Sequence, residues 1–480
     1  MSPVQTLSPG HLGMGVTRPA DSRVLMAAAV AAVLTDLALR SGVAGLAGTL
    51  LVVAVAAAVL VSGRVAGLQA AGVVAAAVPF GICLSVRTSP WLLPLDILAV
   101  GGLLVLGASL AGGGSLLDLP LPNLALRAIH ALGHGLAAPA FLVAPLQRSR
   151  PAALLRGMGL ALPLLVVLGL LLASADAIFA GFFTWWSPET VISHAVLLGV
   201  GGWGMVGLLR VTSAEPAPAA PRLPYRLGHV EATVVLASLL TLFAAFAVAQ
   251  AVAIAGGGRH VLETAGLTYA EYARTGFFQL LAVAGITLAS LIGLRAVTDL
   301  SEEAHARRFT VMAEVAIALT MVIVLVALRR LGLYQDAFGL TMLRLYSSVF
   351  ATWIGVVLVL AGLGLAGVAA ERAWFPAAAT VAGLGMLLGL NIVNPEAMVV
   401  RHNVDRAAKT QNVDPGYLAE LSDDAVPELV RALPRLPEPA RSEVLAAVCA
   451  GPESPFDGWA AANTSRRRAM DARRQVCRSG

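Results

Sequence analysis

Charge is scarce in this sequence. Only 13% of its 480 residues are charged, where a soluble domain carries about a quarter. That deficit excludes a chain folded around an aqueous-facing globule of ordinary surface. Lysine is almost absent, and aromatic residues make up only 6%. There are three cysteines, Cys83, Cys449 and Cys477, without a CxxC pair, a zinc spacing or a haem attachment motif. Also missing are a Gly-x-Ser-x-Gly elbow, a Walker loop and a kinase signature set. No catalytic residue, metal ligand or cofactor is therefore assigned. Period-2 alternation is lacking too, which excludes an outer-membrane barrel.

Apolar residues fill the gap. They make up 58% of the chain, and the mean hydropathy is +0.81. Runs of roughly 20 apolar residues recur, each long enough to cross a hydrocarbon layer of about 30 Å. Backbone groups in lipid must bond within their own segment, so the runs are helices. The spans read as 24–39, 43–62, 65–86, 91–111, 154–173, 190–209, 230–254, 276–294, 309–328, 341–368 and 375–393. The fold class is thus all-α: a polytopic helical membrane protein of about eleven spans with a small helical C-terminal domain.

The organisation follows. Residues 1–23 form a Gly/Pro/Ser-rich disordered tail without a signal-peptide cleavage site. A four-helix membrane region covers 24–111. Residues 112–153 make an interfacial connection, in which Pro120, Pro122 and Pro139 interrupt short apolar stretches. A seven-helix core covers 154–393, and a polar helical tail covers 394–480. In that tail Asp414-Pro415 is a helix start, and Ser422-Asp423-Asp424 resembles another. Further helices are read over 441–450 and 457–477. For Cys449 and Cys477 both a disulfide and two free thiols remain open.

The net charge of +5 does not indicate nucleic acid, because the arginines lie in short loops and in the tail. Arg148, Arg150 and Arg156 mark one side of the membrane. Arg210, Arg222 and Arg226 mark it again, as do Arg295, Arg307 and Arg308. The positive-inside rule makes that side cytoplasmic. The N-terminus is then inside, the tail outside, and the location is an inner membrane; Arg329 and Arg330 fall on the outer side as an exception. The expected partners are the lipid bilayer and a protein recruited by the tail.

Few side chains offer chemistry. Thr268-Tyr269-Ala270-Glu271 fits a capping box, in which Glu271 only starts a helix. Its neighbours allow a functional reading: Arg274 is three residues on, and Tyr269 and Tyr272 stand at the same interface. Asp176 faces outward. Glu314, about five residues inside its span, is the deepest carboxylate. An ionisable group at that depth is a candidate proton or cation site unless Arg307 or Arg308 neutralises it. Asp36, Asp96 and Glu231 lie near span ends. Gly339-Leu340-Thr341 repeats Gly266-Leu267-Thr268, with Arg344 placed as Arg274 is, but three residues in a Gly/Leu-rich chain are a chance match. His130 and His134 lack the glutamate of the zincin motif and a third ligand, so no metal site is read there.

Several strings carry a family resemblance. They are Leu172-Ala173-Ser174-Ala175-Asp176 with Phe179, Leu242-Phe243 with Phe246 and Gln250, and Gly266 to Arg274 followed by Gly276-Phe277-Phe278. With them stand Tyr334, Gly339-Leu340-Thr341 and Arg344, then Asn403-Val404-Asp405-Arg406, Tyr417-Leu418 and Leu421-Ser422. Together these resemble multi-pass membrane proteins grouped as a domain of unknown function, numbered four-one-seven-three, with a close sister numbered four-one-five-three. The resemblance implies an integral membrane protein of bacterial, actinobacterial type and brings no site residues with it. The functions left open are a non-enzymatic sensing or assembly role through the tail, transport through a carboxylate such as Glu314, and, more distantly, an enzyme acting on a lipid-linked substrate.

Overall fold

Wherever the apolar runs are described they fold as helices. The computed structural model describes residues 21–41, 45–62, 65, 67–138, single positions between 161 and 175, 188–215, 226–255, 276–368, 373–410, 412–451 and 458–477. Eight helices among them are long and apolar enough to cross a membrane, and two shorter apolar stretches, Leu46–Val61 and Leu68–Cys83, accompany them. No strand forms among the described residues beyond a single bridge between Leu227 and Thr298. Large apolar side chains stay exposed along the spans, including Leu242 and Ile286. That pattern fits helices whose outer faces meet lipid. The protein is a multi-pass membrane protein.

The chain divides into two compact units. One comprises residues 1–116, 121–220 and 454–467. Its helices are α1 (Ser22–Arg40), α2 (Leu46–Val61), α3 (Leu68–Ala75), α4 (Ala77–Cys83), α5 (Leu93–Leu110), α6 (Leu121–Leu136) and α7 (Pro188–Thr212). Asp21 caps α1 by accepting from the Val24 amide at 3.1 Å. Small residues let these helices approach closely. A Cβ at Gly201 of α7 would lie 2.4 Å from Thr35 Oγ1 of α1, and one at Gly107 of α5 would lie 2.5 Å from a Val74 methyl of α3. The interfacial piece expected after α5 is α6, which begins beside Pro122 and runs through both His130 and His134. Arg127 ties α6 to the end of α5 by donating to the Ser109 and Gly113 carbonyls at 2.8 and 2.9 Å. A short piece of the tail belongs to this unit. The Ala462 carbonyl accepts from the Leu46 amide at 2.9 Å, and the Thr464 amide donates to Ser85 at 2.8 Å. The buried Asn463 amide reaches the Leu84 and Arg87 carbonyls at 3.2 and 3.0 Å.

The second unit comprises residues 117–120, 221–453 and 468–480. Its spans are α8 (His229–Ala255), α9 (Phe277–Val297), α10 (Glu303–Phe338), α11 (Met342–Leu365) and α12 (Phe375–Val393). Leu236, Phe277, Leu281, Phe309, Ile317 and Leu358 join the first four of these in one core. The tail starts without a gap. Asn394, in the left-handed region at φ 60°, turns the chain from α12 into α13 (Pro395–Thr410). Its side chain accepts from the Ala397 amide at 3.1 Å and donates to the Asp424 carbonyl at 2.8 Å. Then come α14 (Pro415–Ala419), α15 (Val426–Ala432), α16 (Ala440–Cys449) and α17 (Thr464–Cys477). Val400, Val404, Leu418, Leu429, Val444 and Ala469 form the tail's own core. Cys449 and Cys477 are joined by a disulfide.

Two local expectations change. The helix start read at Ser422-Asp423-Asp424 lies later, at Val426. Those side chains are engaged elsewhere: Ser422 with Glu396 at 2.7 Å and Asp423 with Arg473 at 2.8 Å. The span read as 309–328 belongs to a helix of 36 residues, about 54 Å long. Arg329 and Arg330 therefore continue a helix whose final turns extend past a hydrocarbon layer of about 30 Å.

Candidate functional site at the turn between α10 and α11

The residues that the sequence singled out around Gly339 converge with the tail. Helix α10 ends at Phe338, and Gly339 follows at φ 79°, a conformation that favours glycine. A Cβ there would also lie 2.5 Å from Asn403 Oδ1. Thr341 caps α11 by accepting from the Arg344 amide at 3.4 Å. Between them Leu340 is held at both of its backbone groups. Asn403 of α13 accepts from the Leu340 amide at 2.8 Å and donates to the Leu340 carbonyl at 2.7 Å. The next amide but one, from Met342, donates to the Tyr417 hydroxyl at 2.7 Å. Burial pushes the Tyr417 phenol above its ordinary value, while the Met342 amide pulls it back.

Two arginines close the end of α10. The last carbonyls of a helix have no partner within it. Arg406 donates to Asp336 at 3.0 Å and to Ala337. Arg344 donates to Phe338 at 3.2 Å and to Gly339. Cations there also complement the helix dipole. The Arg344 guanidinium lies 4.2 Å over the Tyr334 ring, a cation–π contact. Below the polar layer, Leu340, Met342, Leu345 and Val399 pack together with Tyr417 and Leu421 against them. Glu396, 1% exposed, accepts from the amide and the hydroxyl of Ser422, both at 2.7 Å. Both bonds fall on Oε2, which ties α13 to the start of the Ser422 turn. This arrangement binds backbone to side chain and presents no nucleophile beside a base. Chemically it is a joint, one that fixes the α10–α11 turn to the tail.

Among the remaining candidates that are described, Glu314 takes no part in it. Tyr269, Glu271, Tyr272, Arg274 and Asp176 fall outside the described residues. Glu314 is half-buried on α10 between Ala313 and Ile317, and it pairs with no described residue. The salt bridge to Arg307 or Arg308 is not formed, and both arginines are exposed. No cluster of three His, Cys, Asp or Glu side chains that could hold a metal occurs among the described residues.

In the first unit Asp36 anchors a second polar cluster. It is buried and accepts from Arg40 Nε at 2.9 Å. His194 Nδ1 of α7 lies 2.9 and 2.8 Å from its two oxygens. Arg40 also donates to Ser193 Oγ at 2.6 Å. Sequence reasoning flagged Asp36 but missed His194, which is 158 positions away.

Comparison with curated proteins finds no match, and comparison with solved structures finds none either. A family model, described as Domain of unknown function (DUF4153), matches residues 24–432. Among the described residues, that stretch contains the spans from Val24 of α1 to the end of α12 and the joint of Tyr334, Arg344, Asn403 and Tyr417. The chain belongs to this family, the second of the two numbers named in the resemblance.

Proposed function

We propose that the protein is a non-enzymatic component of a bacterial inner membrane with a sensing or assembly role. In this reading the tail meets a protein partner, and the α10–α11 turn carries the consequence into the bundle. The observation that carries it is the double bond pattern at Leu340. A side chain from the tail holds both backbone groups of a residue between two spans. A turn held this way moves with whatever moves the tail, because release leaves buried backbone groups without partners.

Sidedness belongs to the same proposal. Within the first unit, the start of α2 and the residues that follow α4 bond to the segment 458–464, which supports placing them on one side. Helix α5 then ends on the opposite side, whereas α7 starts beside Arg40, at the end of α1. This reading needs an odd number of crossings between α5 and α7, and the span expected at 154–173, which lies largely outside the described residues, would supply it with α6 at the interface. The Cys449–Cys477 disulfide supports an outward tail, since such bonds persist in oxidising compartments.

The test is deletion of residues 394–480, followed by in-cell cross-linking. A partner cross-linked to the full chain should be lost, while the spans still insert. Retention of that partner by the truncated bundle would sink the proposal.

A further inference from the structure

The first unit contains a slot that nothing above uses. It opens between the N-terminal half of α1 and the C-terminal half of α2, with a volume of about 460 Å³. That is within the size range of small-molecule sites, roughly 300–1,000 Å³. Ala27 of α1 and Ala54 and Ala58 of α2 form its walls. Their small side chains leave the space between the two helices open. Met205 and Leu209 of α7, each 2% exposed, form its floor. The walls belong to apolar helices of a membrane unit, so the occupant comes from the bilayer and presents a hydrocarbon chain.

One end of the slot is different. Arg23 and Ser62 stand there, at the first turn of α1 and just past the end of α2. Arg23 is the one charged side chain of the lining. It is exposed and pairs with no described residue. The nearest acid in sequence, Asp21, points its carboxylate at the Val24 amide as the cap of α1. A guanidinium at the mouth of an apolar slot matches a phosphate at the head of an acyl chain. We infer that the slot binds one anionic glycerophospholipid, with an acyl chain between α1 and α2 and its phosphate on Arg23.

Native mass spectrometry of the full chain in detergent, titrated with phosphatidylglycerol or phosphatidylcholine of the same acyl chains, tests this. The wild type should retain one phosphatidylglycerol about fivefold more tightly than phosphatidylcholine, the factor expected for one interfacial arginine. Arg23→Gln, at an exposed position, should abolish that preference while both lipids still bind. Ala58→Leu should fill the slot and reduce retention of both. Equal retention of the two lipids by the wild type would overturn the inference, as would a preference that survives Arg23→Gln. Unchanged retention by a folded Ala58→Leu variant would overturn it as well.

Discussion

At the residue scale the joint depends on Asn403. Its amide is the side chain that can offer an acceptor and a donor together to the two backbone groups of one residue. Both bonds at Leu340 are buried. Losing a partner from a buried polar group costs about 1–3 kcal/mol. Asn403→Ala should therefore destabilise the second unit by about 2–4 kcal/mol, read as a lower melting temperature. Asn403→Asp keeps the acceptor for the Leu340 amide but turns a carboxylate towards the Leu340 carbonyl. It should cost at least as much as the alanine change. A melting temperature unchanged in both variants would show that the turn holds itself. Arg344 was legible beforehand, since it follows the Gly-Leu-Thr string at one helical turn. Asn403 was not legible as a clamp, because its partner is 63 positions away and no local pattern encodes that meeting. Glu314 shows the opposite case. Its depth in an apolar run was plain from sequence, yet the pairing expected for it depended on rotamers that sequence does not give.

At the scale of elements, the spans were readable because lipid imposes one rule on each of them: about 20 apolar residues and an internally bonded backbone. The tail obeys no such rule. Helix α13 went unread because its apolar face, Val399, Val400, Val404 and Ala407, is diluted by charge and begins directly after a span. The Ser422 cluster misled because capping residues also serve as ordinary hydrogen-bonding groups. Asp414 did cap its helix, accepting from the Tyr417 amide at 3.0 Å, since Pro415 left the chain little alternative. The most testable link in the tail is its disulfide, which ties the end of α16 to the end of α17 across 28 residues. Closing a loop of that length in the unfolded chain is worth about 3 kcal/mol. Cys449→Ser should lower the tail's resistance to proteolysis by a corresponding factor, on the order of 100-fold. The spans, whose backbone bonds beyond their first turns lie within each helix, should remain protected. Equal proteolysis with and without the bond would mean that the core of Val400, Leu418 and Val444 suffices alone.

At the scale of the whole molecule, the decisive quantity is which side the loops occupy. Arginine counts supplied one answer from sequence, with Arg329 and Arg330 against it. The length of α10 carries Arg329 and Arg330 beyond the hydrocarbon layer and so explains why they are tolerated, but it leaves them counting against the arginine rule. Hydrogen bonds add a constraint independent of charge: within the first unit the segment 458–464 bonds to the start of α2 and to the residues after α4, and in the proposed sidedness that side is the outward one. With α2 crossing, as the span expected at 43–62 requires, the proposed sidedness puts the connection between α2 and α3 on the opposite side. Gly67 in that loop has open space where a Cβ would sit, so a cysteine fits there without strain. Arg441, exposed on α16, is the matching position in the tail. In a Cys83→Ala background a membrane-impermeant maleimide should label Arg441→Cys in intact cells, and Gly67→Cys only after permeabilisation. The reverse pattern would invert the proposed sidedness while keeping the two loops opposed. Labelling of both positions in intact cells would break the crossing of α2 itself, and with it the parity that keeps α6 at the interface.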